Sequence, residues 1–453
     1  MIPITEFYNR SKEGDSVSSQ EFDELVMDTA LEIVDDHEIE LDIDNPIASD
    51  EAADAVFEAA LDFLARVGVY NMTTKRIMRI SRDEIDEIVA DYRDDPREFK
   101  IGRGEFERAV KARDIGDGTP LLFWPAVGMV PSMEAHRACI RLFVDEPYLD
   151  ALMTPSMVPE YNGVKSESGT VGEMYVLVEQ ARVHSEELER VGKQGLFRAL
   201  AGASNADSAL AAMQPGLLEP WNTMIGVHIT PEMKIDSGRL NSAYAAEQSG
   251  AQPWISAMSM MGGICGGPEG AAVSATANVI AQLAYAHGNW ATIQTTDMKG
   301  SHSTAMTVAA QSAARRAVTR NLRIATASTC VDACTSTCLE EAVLSSFMVG
   351  FEVAASGGAI NWFAGGTPLA ARMHHEGQNI VAGFSREKSN EVFNNLTAAK
   401  QQLQAEHAGE ESLFPMSLPL ATYDLATGEP HENYLEAVRT VTGILRDAGI
   451  PLS

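Results

Sequence analysis

Short apolar segments alternate with longer amphipathic segments over most of the chain beyond its first quarter. This alternation is typical of parallel strands joined by right-handed helical crossovers. Eight such units over roughly 290 residues fit a closed (β/α)8 barrel, the TIM barrel. An open doubly wound sheet is the alternative, but no G-x-G-x-x-G motif follows the first apolar segment to support it. The predicted strands are residues 121–127, 148–153, 195–201, 223–229, 254–260, 290–295, 323–328 and 359–363. The predicted helices among them include 171–191, 268–286, 303–320, 339–355 and 386–404.

The residues before the barrel are predicted to form a helical layer. Ser19 can cap a first helix whose apolar face includes Phe22. A second helix starts near Asp50 and ends before Gly68, and a third follows Ser81. The chain therefore divides into a helical N-terminal layer (1–115), the barrel (116–405) and a C-terminal extension (406–453) that packs on the barrel and contains a helix over 433–448.

Arg198 and His228 are basic side chains within predicted strands, and barrel enzymes place their chemistry at the carboxyl ends of such strands. Arg198 stands in an otherwise apolar segment, where a basic group is costly unless it is paired or faces the mouth of the barrel. Its alternative role is a buried structural ion pair. His228 could act as a general acid or base near neutral pH. A histidine hydrogen-bonded to the backbone at a strand end is the alternative.

Acidic and amide side chains follow the sixth and seventh predicted strands. Gln294 lies in strand 6, Asp297 lies on the loop that leaves it, and Asp332 lies on the loop that leaves strand 7. Either carboxylate could hold a cationic substrate. Asp332 could instead cap its own helix, whereas Asp297 lies too early to cap the helix that starts near Ser303. We therefore interpret Asp297 as functional and Asp332 as the more structural of the two.

Charge limits the classes of partner. Lys and Arg total 34 against 64 Asp and Glu, which gives a formal net charge of −30. Such a surface repels nucleic-acid phosphates, and acids spread along the whole chain suggest adaptation to a salt-rich cytoplasm. The apolar runs are too short to span a bilayer, and the N-terminus has no export-signal pattern. The sequence thus predicts a cytoplasmic protein that binds neither nucleic acid nor membrane.

Cysteines and histidines raise the question of a metal. An odd set of five cysteines without an export signal predicts reduced thiols. Cys330, Cys334 and Cys338 have a spacing of four, which predicts a row on one helix face; a row does not converge on one ion, so packing is favoured over ligation. His374 and His375 would point apart on a helix. We expect no bound metal.

Residues 262–267 (Gly-Gly-Ile-Cys-Gly-Gly) with Pro268 could cradle an anion or form only a sharp turn.

Several segments together resemble the monomethylamine:corrinoid methyltransferases, in the same order and over most of the length. They are 6–12 (Glu-Phe-Tyr-Asn-Arg-Ser-Lys), 67–70 (Val-Gly-Val-Tyr), 192–195 (Gly-Lys-Gln-Gly), the paired glycines of 262–267, and the three-cysteine run followed by 339–342 (Leu-Glu-Glu-Ala).

This resemblance implies a barrel whose acidic mouth binds a methylated amine and presents its methyl group to the Co(I) of a separate corrinoid protein. No cofactor would be tightly bound, since the partner supplies the corrinoid, and the family implies a homo-oligomer. The family's pyrrolysine, which forms an adduct with the amine, is missing: the matching strand carries Arg198 or Ala199, depending on the alignment. The family's histidine–glutamate pair at strand 4 is here His228-Ile229, so the imine chemistry cannot operate as in the family.

A donor that is already activated would suit a pyrrolysine-free enzyme. We hypothesise a methylated amine that could be quaternary, with Asp297 or another mouth carboxylate holding the cation. Trp124 and Trp362 would add cation–π contacts. Two alternatives remain. One is a TIM-barrel lyase or hydrolase acting on a small substrate, and the other is a non-catalytic homologue that docks a corrinoid protein.

Overall fold

A computed structural model describes residues 2–126, 128, 130–153, 157–198, 203–329, 335–363, 366–413 and 418–453. The helices are α1 (Ile4–Glu13), α2 (Ser19–Asp36), α3 (Asp50–Val67), α4 (Arg82–Asp94), α5 (Met133–Val144), α6 (Val171–Arg190), α7 (Ala206–Ala212), α8 (Ser237–Ser249), α9 (Pro268–Ala286), α10 (Ala305–Leu322), α11 (Leu339–Ala355), α12 (Pro368–Val381), α13 (Arg386–Glu406), α14 (Leu418–Thr422) and α15 (Glu432–Asp447). The strands are β1 (Val69–Asn71), β2 (Arg76–Met78), β3 (Phe99–Ile101), β4 (Arg108–Val110), β5 (Leu122–Phe123), β6 (Glu160–Tyr161), β7 (Val164–Lys165), β8 (Met224–Gly226), β9 (Lys234–Ile235), β10 (Gln252–Met260), β11 (Trp290–Thr296), β12 (Ala325–Thr329) and β13 (Ile360–Trp362).

Eight parallel segments form the barrel. Six of them are strands of one sheet in the spatial order β5–β13–β12–β11–β10–β8, and every neighbouring pair is parallel. Segments 151–153 and 196–198 complete the circle between β5 and β8. Each of the eight predicted apolar segments supplies one position, so the predicted (β/α)8 fold is confirmed. The closing contacts are the parallel bridges Ala126–Met153 and Ala151–Phe197 and the hydrogen bond from Arg198 N to Asn222 O, 2.9 Å.

Side chains of the barrel strands alternate between the interior and the helical layer. On β11, Trp290 packs with other aromatic side chains inside the barrel, whereas Ala291 and Ile293 pack in the core shared with the helices. Because successive side chains on a strand point to opposite faces, Gln294 shares the interior face of Trp290.

The helical layer around β10, β11 and β12 is buried on almost every side. Helix α9 has buried residues along its whole length and packs on β10, α3 and α10. An ion pair joins α10 to α11: Arg315 Nε lies 2.9 Å from Glu352 Oε1, and both side chains are completely buried. Arg315 also donates to the carbonyls of Ile293 and Ala327, each at 2.8 Å, so it ties two helices to two strands.

The N-terminal layer has the three predicted helices, α2, α3 and α4, with Ser81 capping α4 as predicted. The cap of α2 is Ser18 rather than Ser19: its hydroxyl accepts from Glu21 N, and the Glu21 carboxylate accepts from Ser18 N, which forms a capping box. The layer also contains strands. β1 pairs with β2 in antiparallel fashion and with β9 in parallel, and three-residue strands are too short for an alternating pattern to reveal.

The C-terminal residues pack against the barrel helices. Helix α15 starts and ends one residue before the predicted range and contacts α11, α12 and α13. Within the described part of the chain, none of the helices combines the length and apolar character that a bilayer span requires.

Candidate active site

Five aromatic side chains fill the barrel interior, and we call them the aromatic cluster. The ring centroids of Trp124 and Phe197 are 5.3 Å apart, those of Trp124 and Trp290 are 5.4 Å apart, and those of Trp254 and Trp362 are 4.8 Å apart. Trp124 is fully buried and Trp362 is 3% exposed. The structure therefore brings together the two tryptophans expected to contact substrate, but deep in a packed cluster.

Trp254 is the member of the aromatic cluster that remains partly exposed, and it was not among the residues expected to form the site. Its Nε1 donates to Thr292 Oγ1 at 3.1 Å, which orients the indole. Further along the same face of β10, Met258 is 42% exposed and Met260 is 45% exposed. The exposed fraction of this face thus increases from the indoles towards the carboxyl end of β10. The position of Trp254 at the start of the fifth predicted strand, away from the carboxyl end, gave no signal for it.

His228 stands edge-on to Trp254, with 4.4 Å between the ring centroids. The residue is partly exposed, but its Nε2 is buried and has no hydrogen-bond partner among the described residues. Burial, followed by the nearby Arg239, lowers the pKa of His228 to about 3. The imidazole is therefore neutral near pH 7 and is suited to accept a hydrogen bond. Of the two roles expected for it, general base fits this state and general acid does not.

A cavity of about 270 Å³ lies beside His228. Ser256 and Met258 from β10 line it, together with Arg239 from α8, whose Nη1 donates to Gly226 O at 3.3 Å. Gln294 is the register partner of Met258 on β11 and is 3% exposed. One edge of the mouth thus collects His228, Trp254 and Gln294 near this cavity. Two of these three residues were candidates from sequence.

Arg198 turns away from the barrel interior. Phe197 joins the aromatic cluster and Leu196 packs in the core beside α5 and α6, so Arg198, on the other side of Phe197, faces the helices like Leu196. Its Nη1 donates to Ser185 on α6 and its Nη2 to Gln194 O at 3.4 Å. Burial lowers the pKa of Arg198 to about 10, so the guanidinium stays charged.

The Asp297 carboxylate organises its own loop. Oδ1 accepts from Lys299 N at 2.8 Å and from Ser301 N at 2.9 Å, an Asx-type turn after β11. Asp297 lines a different cavity from His228, one that lies between this loop and α13. The two candidates are consequently not brought into one site.

The cysteine and histidine motifs have structural roles in the parts of them that the structure describes. Asp332, Cys330 and Cys334 lie outside the described residues. Cys338 is not part of a helical row: it is the N-cap of α11, and its Sγ accepts from Glu341 N at 3.4 Å. His374 and His375 do point apart on α12, since His374 is hydrogen-bonded to Gln378 while His375 stacks on Tyr148. In the portion of the chain that the structure describes, no three His, Cys, Asp or Glu side chains gather as a metal site.

The double-glycine segment forms a tight turn between β10 and α9. Gly262 N donates to Gly266 O at 2.8 Å, and Gly266 N donates to Gly263 O at 3.1 Å. Both Gly262 and Gly266 have positive φ, which favours glycine, and Pro268 is the first residue of α9 as predicted. A sharp turn accounts for the whole pattern.

Eight parallel segments surrounded by helices, with aromatic side chains inside, define a protein of the (β/α)8-barrel class. Within that class, the chain belongs to the monomethylamine methyltransferase MtmB family, whose sequence profile matches residues 2–450. The resemblance inferred from the residues is therefore confirmed, and the chain is a member of a family of enzymes.

Individual relatives agree over the full length at low identity. The chain is 22% identical to monomethylamine methyltransferase MtmB of Methanosarcina mazei, covering 98% of this chain and 97% of the relative. It is also 22% identical to monomethylamine methyltransferase MtmB1 of Methanosarcina acetivorans, with the same coverage. The crystal structure of the Methanosarcina barkeri monomethylamine methyltransferase MtmB superposes with a TM-score of 0.88 at 18% identity, over 100% of this chain and 99% of that one. That likeness establishes the fold.

Proposed function

We propose that the chain transfers a methyl group from a methylated amine to the Co(I) corrinoid of a partner protein, and that it does so without pyrrolysine. The corrinoid is then a substrate carried by the partner and not a resident cofactor. Family membership supports the reaction class. The observation that carries the proposal is the partly exposed Trp254 beside the neutral His228, because together they offer a ring face and no positive charge of their own. The Arg239 guanidinium at the adjacent cavity donates to Gly226 O.

The donor we propose is a quaternary ammonium compound. When its N–CH3 bond breaks, the electron pair stays on nitrogen and a neutral tertiary amine leaves, while the nucleophile supplies the electron pair for the new bond to the methyl group. No proton has to be delivered to the leaving group, which fits a histidine that is neutral near pH 7. A primary amine would need activation, and pyrrolysine, which the resemblance assigns to that task, is missing from this sequence.

The side chains have the following proposed roles. Trp254 would contact the cation through its exposed ring, and Trp362 would pack behind that ring. Trp124 would support the cluster through its contact with Trp290. His228 and Gln294 would border the donor as hydrogen-bonding groups. The mouth carboxylates Asp297 and Asp332 would attract the cation at longer range. Arg198, which faces α6, would act as a positioning residue for its strand.

The test is a methyl-transfer assay with purified chain in concentrated KCl. A Co(I) corrinoid protein, first shown to bind the chain, is mixed with mono-, di-, tri- and quaternary methylamines in turn, and absorbance follows the conversion to methyl-Co(III). We expect conversion with a quaternary compound and none with monomethylamine. Conversion with monomethylamine alone would overturn the proposed donor class. No conversion with any donor would overturn methyl transfer.

Replacing Trp254 should separate ring contact from packing. We expect Trp254→Leu to lower kcat/KM for the quaternary donor by about tenfold to thirtyfold, because a desolvated cation–π contact contributes about 2 kcal/mol. Trp254→Phe keeps a ring and should lose about threefold. Trp221→Leu is the matched control, since Trp221 contacts Arg103 outside the aromatic cluster. Equal losses for the leucine and phenylalanine variants at position 254 would rule out the cation contact.

A second candidate function is a non-catalytic homologue that docks a corrinoid protein. Arg198 is the observation that favours it. One alignment puts Arg198 at the pyrrolysine position, and its guanidinium lies against Ser185 of α6 instead of entering the barrel interior. In the assay above, a corrinoid partner that binds tightly but is never methylated would support docking over turnover.

A further inference from the structure

A second cavity, of about 910 Å³, lies outside the barrel interior, and we call it the α13 cavity. Its walls are the loop after β11, the start of α10, the residues that lead into α11, and one face of α13. Small-molecule sites in proteins typically enclose about 300–1,000 Å³. The α13 cavity therefore has the size of a ligand site. Of the described residues with a role in the proposed methyl transfer, only Asp297, which would act at longer range, lines it.

A buried lysine lines the α13 cavity, and none of the described carboxylates is its counterion. Lys400 is 6% exposed, and its Nζ donates to Ser303 Oγ at 2.6 Å. Among the described residues no carboxylate oxygen lies within 4.0 Å of this ammonium group. A buried cation that is held only by a neutral hydroxyl is costly, and an anion that enters the cavity would offset that cost.

The two carboxylates that line the α13 cavity are held by other groups. Glu341 Oε1 accepts from Gln404 Nε2 at 2.6 Å, and its Oε2 accepts from Thr337 N at 2.8 Å. Asp297 Oδ1 accepts the two backbone N–H groups of its own loop. Lys299 also lines the cavity, so two ammonium groups face two carboxylates that already accept hydrogen bonds from the protein.

Two further features suit an anion. Ser303, Thr304 and Ala305 place the N-terminus of the 18-residue helix α10 at the cavity, and that end of a helix favours negative charge. Thr397, one turn before Lys400 on α13, has a buried Oγ1 with no hydrogen-bond partner among the described residues. A hydroxyl in this position can donate to an oxyanion.

We propose that the α13 cavity binds a small organic molecule through a carboxylate or phosphate group, which Lys400, Thr397 and the N-terminus of α10 hold together. This site goes beyond the proposed methyl transfer and does not depend on it. The shared chemistry is an oxyanion with several acceptor oxygens, which distinguishes it from the chloride of a salt-rich medium.

The test measures thermal stability at constant ionic strength, without methyl donor or corrinoid. Inorganic phosphate and acetate are titrated separately against KCl, and the wild-type chain is compared with Lys400→Met and Lys388→Met. Lys388 lies on the same helix, is 41% exposed and pairs with Glu391, so it is a matched control. We expect one of the two anions to raise the melting temperature saturably in the wild type and in Lys388→Met. Which anion does so distinguishes a phosphate site from a carboxylate site.

Lys400→Met should weaken that effect at least tenfold. If Lys400→Met does not fold, Thr397→Val keeps the ammonium group and should weaken binding severalfold. The proposal is overturned if neither anion stabilises the wild type saturably, or if the Lys400→Met variant, or Thr397→Val in its place, responds like the wild type. Because the assay contains no methyl donor, failure of the methyl-transfer reaction would not affect this result.

Discussion

Glu352→Leu is expected to lower the free energy of unfolding by about 3–5 kcal/mol, because it leaves the Arg315 cation buried without its carboxylate. The pair is bidentate, with Arg315 Nε 2.9 Å from Oε1 and Nη2 3.0 Å from Oε2, and neither side chain is exposed. Water cannot replace the lost carboxylate at this depth. Denaturant unfolding in concentrated KCl, followed by circular dichroism, measures the loss.

The double variant Arg315→Met/Glu352→Leu tests the cause. It removes both charges, so we expect it to recover most of the loss, although the carbonyls of Ile293 and Ala327 lose a donor. Glu391→Leu is the surface control: its partner Lys388 is exposed, and the change should stay below about 1 kcal/mol. A double variant no more stable than Glu352→Leu alone would show that packing, not the unpaired charge, causes the loss.

The barrel could be predicted because its strands are buried on both faces, so each strand appears in the sequence as a continuous apolar segment. The apolar pattern also predicted segments 151–153 and 196–198, which single bridges and hydrogen bonds join to their neighbours. Helices α9 and α11 also begin and end at the predicted residues, since Pro268 marks the first and a long apolar run marks the second. The division into a layer, a barrel and an extension stays a prediction.

The orientation of site residues could not be predicted in the same way. In a strand that is apolar on both faces, the pattern does not say which face Arg198 joins; only the packing of Phe197 on Trp124 decides it. Asp297 was predicted to be available for substrate because no helix starts beside it for its carboxylate to cap. The carboxylate instead accepts hydrogen bonds from the amides of its own loop, a contact that depends on the loop conformation. Trp254 was not predicted as a site residue, because the exposed fraction of its side chain depends on where the neighbouring strand β8 ends.

Stability should also fall steeply as the pH is lowered from about 6.5 towards 4. Burial lowers the pKa of His136 to about 4 and that of His374 to about 3, and it lowers the pKa of His184 well below its usual value. In the unfolded chain these imidazoles titrate near pH 6.5, so the unfolded chain binds protons that the folded chain does not. The stabilisation is therefore complete above about pH 6.5 and is lost as the pH falls. Each imidazole contributes about 1.4 kcal/mol per pH unit, or about 4 kcal/mol per pH unit for the three.

Single variants can assign this slope to individual side chains when unfolding is measured between pH 7 and 5. His374→Phe should flatten it by about 1.4 kcal/mol per pH unit, because the residue no longer titrates in either state. His407→Gln should not flatten it, since the partly exposed His407 has a pKa raised by Glu410 and its contribution has the opposite sign. Glu84 and Glu187 have pKa values near 2 in the folded chain. Their stabilisation is lost only below the ordinary carboxyl pKa of about 4.3, so it does not contribute to the slope between pH 7 and 5. A slope unchanged in His374→Phe would mean that its imidazole takes up a proton within the folded barrel.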